Sequence, residues 1–307
     1  MSTFDENLAS AIKTCETGIW QHGEFSRMYA FTTENISGYV DLFDLQGKSL
    51  LTVGSSGDQV LNAYYQGARD ITLYDINKYA EYYTYLKIAG IITLTYREFR
   101  LFFLLHGDRI FYNRHMFNKE AFKRMKPVLR LLNYEAFLFF DEIFSLFKSE
   151  EIRNRLFEDD ESRTKVIYGF NNYLKDETSY NKMQSIIRGI SFKYVNGDIF
   201  EDEIPGQYDN IFLSNISNVK PFGEYKNLLQ KIDNNHLKDG GSMQIAYLWD
   251  MYFDETYYDK EWYEIYKLPI IKKELAHYLT EAHDVMSGRD ILWKEKKKRD
   301  LVLIYRK

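Results

Sequence analysis

The sequence has one cysteine, Cys15, and four prolines in 307 residues. A single cysteine excludes an internal disulfide and any zinc site built from cysteines. So few prolines, with no Pro/Gly/Ser-rich stretch, leave no linker between two separate globules. There is also no repeat or low-complexity tract. Basic excess is absent too: the formal net charge is -5 and the pI is near 5.8. Tight nucleic-acid binders carry a basic stripe and a high pI, so no nucleic acid is expected as a partner. The one basic run, Lys294 to Arg299, reads as a solvated hairpin loop. Long apolar runs are missing. The strongest, Phe99 to Leu105, is too short to cross a bilayer and contains Arg100. Residues 1 to 20 are mixed and polar, unlike a signal peptide. A cytoplasmic protein without a transmembrane segment is expected, with peripheral membrane contact and oligomeric state left open.

What is present is a soluble globular composition, 45% hydrophobic and 28% charged, with an aromatic share of 17%. The 26 tyrosines and 22 phenylalanines suit either a half-wet cavity or a core built from rings where other proteins use Leu and Val. Residues 5 to 20 read as an amphipathic helix. Ser49 to Val53 is a short apolar run ending at Gly54, the pattern of a buried strand feeding a glycine turn. Residues 58 to 67 read as a helix closed by Gly67, Ile71 to Tyr74 as a strand ending at Asp75, and 78 to 95 as a helix. This β-α-β-α order implies a parallel sheet. From Tyr96 to Ile190 the periodicity is helical. Strand signals resume at Phe192 to Val195, Tyr208 to Leu213, Ser242 to Tyr247 and Leu301 to Tyr305, the last paired with a strand within 283 to 293. The expected fold is an α/β Rossmann-like sheet of six or seven strands with a helical insertion. Residues 1-95 would hold the N-terminal helix and first half of the sheet domain, 96-190 the insertion on the acceptor side, and 191-307 the second half.

Four elements in this order point to a nucleotide-like cofactor. Gly54-Ser55-Ser56-Gly57-Asp58-Gln59 is a glycine turn that lets backbone approach a ligand at a helix N-terminus. Its G-x-x-G spacing departs from the G-x-G-x-x-G of NAD-binding folds. Asp75 ends the second strand about twenty residues later, where a carboxylate can accept both ribose hydroxyls; an Asp there also suits a helix cap. Ile76 follows, placed to lie against adenine. Asp198, in Asn196-Gly197-Asp198-Ile199 after the third strand, suits the adenine amino group. Ser214 and Asn215 end the next strand beside the expected reaction centre.

The strings LTVGSSGDQVLNAYYQGARDITLYDIN, FTTENISGY and NIFLSNISN resemble bacterial proteins related to the S-adenosylmethionine (SAM):diacylglycerol 3-amino-3-carboxypropyltransferases of betaine-lipid synthesis. The resemblance is sharp over residues 30 to 95 and 192 to 218 and only general over the helical insertion. It implies a class I SAM-methyltransferase-like fold, S-adenosyl-L-methionine as cofactor, and transfer of either the 3-amino-3-carboxypropyl chain or the methyl. By motif position Gly54, Ser55, Gly57, Asp58, Asp75 and Asp198 would hold the cofactor, with Ser56, Gln59, Ile76, Ile199, Ser214 and Asn215 beside them. Thr33, Glu34 and Asn35 would face its amino-acid end, a stretch that equally suits a helix cap. No obvious membrane-docking helix accompanies the motifs, so the acceptor is small-molecule or lipid-like.

For a general base acting on a hydroxyl acceptor, the candidates are His106, Asp108 and His115 in the insertion and Asp250 after the fifth strand; each also reads as an ordinary polar residue. Their spacing matches no zinc pattern, and no metal is expected. Trp249 to Tyr266, aromatic and acidic, reads as a cover over the site or as a helix packing its rings on the sheet. The functions that follow are an aminocarboxypropyltransferase, a methyltransferase of a small molecule or protein, or a SAM-binding module without turnover.

Overall fold

The computed structural model describes residues 4–17, 25–27, 29–54, 56–103, 117–157, 167–248, 268–286 and 299–307. Ser55, His106, Asp108, His115, Asp250, the stretch Trp249 to Tyr266 and most of the basic run after Lys294 lie outside these residues.

Helix α1 (Phe4–Thr17) precedes two 3-10 turns, Ile36–Gly38 and Val40–Leu42. The first βαβ unit is β1 (Ser49–Val53), α2 (Asp58–Tyr65) and β2 (Asp70–Asp75). Its strands are nearly continuous in Leu, Ile, Val and Thr because both faces are covered, as parallel strands require. Helix α3 (Tyr79–Thr93) follows, buried on most of its circumference. Then come α4 (Tyr96–Phe103), α5 (Lys119–Leu132), α6 (Tyr134–Leu146), α7 (Ser149–Leu156), the single turn α8 (Ile167–Phe170) and α9 (Glu177–Ile186). Three of these start where an Asn or Asp side chain meets the free amides of the first turn. Asn118 takes the amides of Glu120 and Ala121 at 2.9 and 3.1 Å, Asn133 that of Ala136 at 2.8 Å, and Asp176 that of Ser179 at 2.8 Å.

The chain returns to the sheet with β3 (Phe192–Asn196), β4 (Tyr208–Phe212), α10 (Phe222–Asn235), β5 (Leu237–Leu248), α11 (Leu268–Glu274), β6 (Glu281–Met286) and β7 (Arg299–Arg306). The seven strands lie in the order β3-β2-β1-β4-β5-β7-β6. The first five are parallel; β7 runs antiparallel to β5 and to β6. This is a Rossmann-like α/β sheet of seven strands, with a helical block between α3 and β3. Strand β5 begins five residues before the apolar run at Ser242, because Leu237 already pairs with Tyr208 across a bulge.

The aromatic surplus goes into the core. Phe122 stacks on Phe144 with centroids 3.8 Å apart, and Phe117 on Phe157 at 5.3 Å. Fully buried tyrosines keep their hydroxyls satisfied: Tyr83 donates to the Ala30 carbonyl at 2.9 Å, Tyr180 to that of Leu94 at 3.1 Å, and Tyr225 to that of Ile245. A ring with a polar tip fills volume and meets a backbone acceptor at once. Among the described residues no helix is long and apolar enough to cross a membrane.

Candidate functional site

In an open α/β sheet the ligand crevice lies at the carboxyl ends of the strands, where the strand order reverses. Here that point is β1, flanked by β2 on one side and β4 on the other. Val53 pairs with Tyr74 and Thr52 with Phe212. Gly54, Asp75 and Ser214 therefore leave neighbouring strands on one edge, and Asn196, beside Asp75, brings Gly197 and Asp198 to the same edge.

The glycine turn is shaped by close packing from behind. Gly57 caps α2 at φ 74°, in the left-handed region, and a Cβ there would stand 2.2 Å from Thr84 Oγ1 on α3. Only glycine meets both demands. A Cβ on Gly54 would stand 3.0 Å from Gln59 Oε1. That oxygen is buried and accepts no hydrogen bond among the described residues, although Gln59 itself is only 4% exposed. A buried acceptor without a donor costs about 1–3 kcal/mol, so it marks a place where a donor is wanted.

Asp58 corrects the sequence reading. It was expected to hold the cofactor, yet it is fully buried and four donors fill its carboxylate. Lys87 Nζ at 2.9 Å and the Tyr173 hydroxyl at 2.8 Å reach Oδ1, while the Thr32 amide at 2.6 Å and Ser56 Oγ at 2.9 Å reach Oδ2. Two carboxylate oxygens offer about four acceptor positions, so this side chain is spent on the fold. Ser56 is likewise turned inward, its hydroxyl on Asp58 and its carbonyl on Lys87 Nζ at 2.9 Å. Lys87 is 0% exposed and lies 3.8 Å from the Phe31 ring centroid. Burial pulls its ammonium below the ordinary lysine range, against the opposing pull of Asp58. Lys87, Tyr173 and Thr32 were not found from the sequence. The available signal was a lone lysine inside an apolar stretch of that helix, YLKIAG.

Residues 31 to 40 strap the edge. Thr32 binds Asp58 behind the glycine turn. Glu34, 2% exposed, accepts from Ser214 Oγ at the end of β4 and from the Tyr39 hydroxyl at 3.1 Å. The Asn35 amide donates to the Tyr247 hydroxyl at 2.9 Å, and its side chain caps the turn Ile36–Gly38 and donates to the Met286 carbonyl at 2.9 Å. Asn35 is thus the helix cap, one of the two roles open to it, and Thr33 between these anchors is half-buried. Burial lifts the Glu34 carboxyl to about 7; the hydroxyls of Ser214 and Tyr39 oppose this, and the nearby Asp300 charge adds to it.

Ser214 is a non-glycine residue at φ 56°. It is held there by Gln244, whose Oε1 accepts the Ser214 amide at 2.7 Å and whose Nε2 donates to its carbonyl at 3.1 Å, and by the Tyr247 amide, which donates to that carbonyl at 2.9 Å. Such a conformation costs on the order of 1–3 kcal/mol and persists where the surroundings over-determine it. Asn215 is half-buried beside it.

At the β2 end, Asp75 is half-buried and its Oδ1 accepts the Asn77 amide at 2.8 Å. Burial raises its carboxyl to about 7, against the amides of Asn77 and Ile76. Ile76 is 46% exposed, an apolar side chain left on the rim. Asp198 Oδ1 accepts the Phe200 amide at 3.0 Å. Ile199 is a second correction: it is 5% exposed and packs with Ile204, Tyr208 and Ile211 in the core beneath β3 and β4, because the turn after Asp198 points it inward. Among the described residues no group of three or more His, Cys, Asp or Glu gathers to hold a metal.

The sequence matches no family model and no curated protein. Among solved structures the chain is similar to the N-methyltransferase NodS from Bradyrhizobium japonicum in complex with S-adenosyl-L-homocysteine, at 7% identity and TM-score 0.34 over 98% of this chain and 86% of that one. It is similar to the ribosomal protein L11 methylase from Lactobacillus delbrueckii subsp. bulgaricus, at 11% and 0.36 over 89% and 77%. It is also similar to human N-acetylserotonin methyltransferase in complex with SAM, at 13% and 0.35 over 89% of this chain and 51% of that one. The chain spans about half the length of several such neighbours. Likeness this loose says nothing about substrate or chemistry.

Proposed function

We propose that the chain is a SAM-dependent transferase that holds SAM along the ends of β1, β2 and β3. The observation that carries this reading is the unpartnered Gln59 Oε1 against Gly54, one strand away from the half-buried Asp75. The acceptors at the ends of β1, β2 and β3 are Gln59 Oε1, Asp75 and Asp198. Of the basic side chains nearby in sequence, Lys87 is spent on Asp58 and Lys78 on Glu81, whereas the buried Nε of Arg27 meets no acceptor among the described residues. Such acceptors favour a ligand rich in donors.

SAM supplies a sulfonium whose attached carbons are already activated toward a nucleophile. The residues bind and orient. Gln59 Oε1 accepts from the amino group, Asp75 from the ribose hydroxyls, and Asp198 from the adenine amino group. Ile76 covers one face of the adenine. The resemblance to the betaine-lipid enzymes favours the 3-amino-3-carboxypropyl chain as the group moved, and a small-molecule or lipid-like acceptor.

The test is calorimetric titration with SAM, S-adenosylhomocysteine and methylthioadenosine. Binding of SAM is expected, and no binding of any of the three would end the reading. Turnover with a cell extract is expected to accumulate methylthioadenosine; S-adenosylhomocysteine in its place would mean methyl transfer.

Asp75→Ala is expected to weaken SAM by about 1–3 kcal/mol, the scale of a hydrogen bond to a charged group. An unchanged Kd would misplace the pocket. Since ribose hydroxyls need the ionised carboxylate and Asp75 titrates near 7, affinity should be constant above that pH and fall as pH drops through it. Asp75→Asn should flatten the profile.

A further inference from the structure

We propose that Arg27 takes the α-carboxylate of the ligand, so that this edge recognises a free amino-acid end as well as a nucleoside. This rests on the reading of the edge as a SAM site and names the residue that holds the far end of that ligand.

Two anchors place Arg27. Asn77, whose amide donates to Asp75 Oδ1, grips Ser26 from both sides. Its Nδ2 donates to the Ser26 carbonyl at 2.8 Å and to Ser26 Oγ at 3.1 Å, and the Ser26 amide donates to Asn77 Oδ1 at 3.4 Å. Further along, the Thr32 amide donates to Asp58 Oδ2 at 2.6 Å behind the glycine turn. Between the anchors the Ala30 carbonyl accepts the Tyr83 hydroxyl at 2.9 Å, and the Phe31 ring lies against Lys87 Nζ. The stretch from Ser26 to Thr32 therefore runs from the end of β2 to the turn after β1. Those are the two strand ends assigned to the ribose and the amino group. Arg27 directly follows the first anchor, and consecutive Cα atoms stand about 3.8 Å apart.

Arg27 has no partner there. It is half-buried, its Nε is buried without an acceptor, and it forms no ion pair among the described residues. Every nitrogen of a guanidinium is a donor, so this shortage does not depend on how its atoms are assigned. The neighbouring cations do have counter-ions: Lys78 pairs with Glu81, and Lys87 with Asp58 at 2.9 Å. A partly desolvated cation without one favours an incoming anion. A carboxylate fits a guanidinium with two parallel hydrogen bonds. The second orphaned group, Gln59 Oε1 against Gly54, asks for a donor. A bare anion lacks that donor, whereas an amino acid carries both a carboxylate and an ammonium. The amino-acid end of SAM meets both demands, the carboxylate on Arg27 and the ammonium on Gln59. Methylthioadenosine lacks this end and leaves Arg27 as it is in the free protein.

The test is calorimetric titration of the full chain with SAM, decarboxylated SAM and methylthioadenosine. SAM and decarboxylated SAM share the sulfonium, ribose and adenine and differ only in the carboxylate, so their ratio is blind to Asp75. The wild type is expected to bind SAM about tenfold or more tightly than decarboxylated SAM, the scale of a charge-assisted hydrogen bond. Arg27→Met should lose that preference by weakening SAM alone, with the Kd of the other two ligands unchanged. Equal wild-type binding of SAM and decarboxylated SAM would overturn the proposal without any variant. So would a preference that survives Arg27→Met, or an equal loss for all three ligands, which is what a merely structural role predicts. Failure of the wild type to bind any of the three would instead remove the underlying reading.

Discussion

Lys87→Met should cost about 3–5 kcal/mol of stability, the range for removing one partner of a buried pair. Methionine restores most of the lost volume and its thioether still lies against Phe31 and Tyr83. What it cannot restore is the positive charge 2.9 Å from Asp58 Oδ1 or the donor to the Ser56 carbonyl. Asp58 then keeps Tyr173, Ser56 and Thr32, three donors without a countercharge. Urea unfolding reads the loss, and the double variant Asp58→Asn/Lys87→Met separates charge from packing. Because the stranded charge is the larger part of the damage, the double variant should be more stable than Lys87→Met alone. Equal or lower stability would show that the ion pair is not what holds the turn. Since Lys87 also fixes the Ser56 carbonyl, SAM affinity should fall in Lys87→Met even where the fold survives.

Gly57→Ala should destabilise by about 3 kcal/mol. Roughly 1–2 kcal/mol comes from placing a Cβ in the left-handed region, and the rest from forcing that atom into Thr84, which a well-packed interior resists at about 1–3 kcal/mol. The two parts can be told apart. Thr84→Ala added to Gly57→Ala removes the oxygen that a Cβ would meet at 2.2 Å but leaves φ at 74°. Measured against Thr84→Ala alone, the change at Gly57 should cost less than in the wild type but more than the conformational part, because the Thr84 Cβ still stands 2.9 Å from the new atom. If Gly57→Ala shifts the urea midpoint by less than the equivalent of about 1 kcal/mol, the turn is looser than its packing implies.

Sheet and glycine turn were legible because their signals are local. Ser49 to Val53 and Ile71 to Tyr74 are apolar runs closed by Gly54 and Asp75, and they fall on β1 and β2. The interior of the site was not legible, because its partners are distant in the chain. Asp58 looks like the first residue of a ligand-facing helix. Its fate is decided by Thr32, Lys87 and Tyr173, which lie 26, 29 and 115 residues away. Ile199 was expected beside the cofactor with Asp198, whereas it packs with Ile204, Tyr208 and Ile211 in the core. Tyrosines were abundant enough to line a half-wet cavity, but Tyr39, Tyr83, Tyr173 and Tyr247 are buried in the core.

The strap from Thr32 to Asn35 also sets an order of events in folding. Glu34 meets Ser214 across 180 residues, and Asn35 meets Tyr247 and Met286 across 212 and 251. Contacts of such separation close late, after the local helices and the first βαβ unit. On the ribosome the glycine turn can fold against Lys87 while the sheet is still half made. The strap waits for β4, β5 and β6 to emerge. The strap therefore cannot close until β6 has been made.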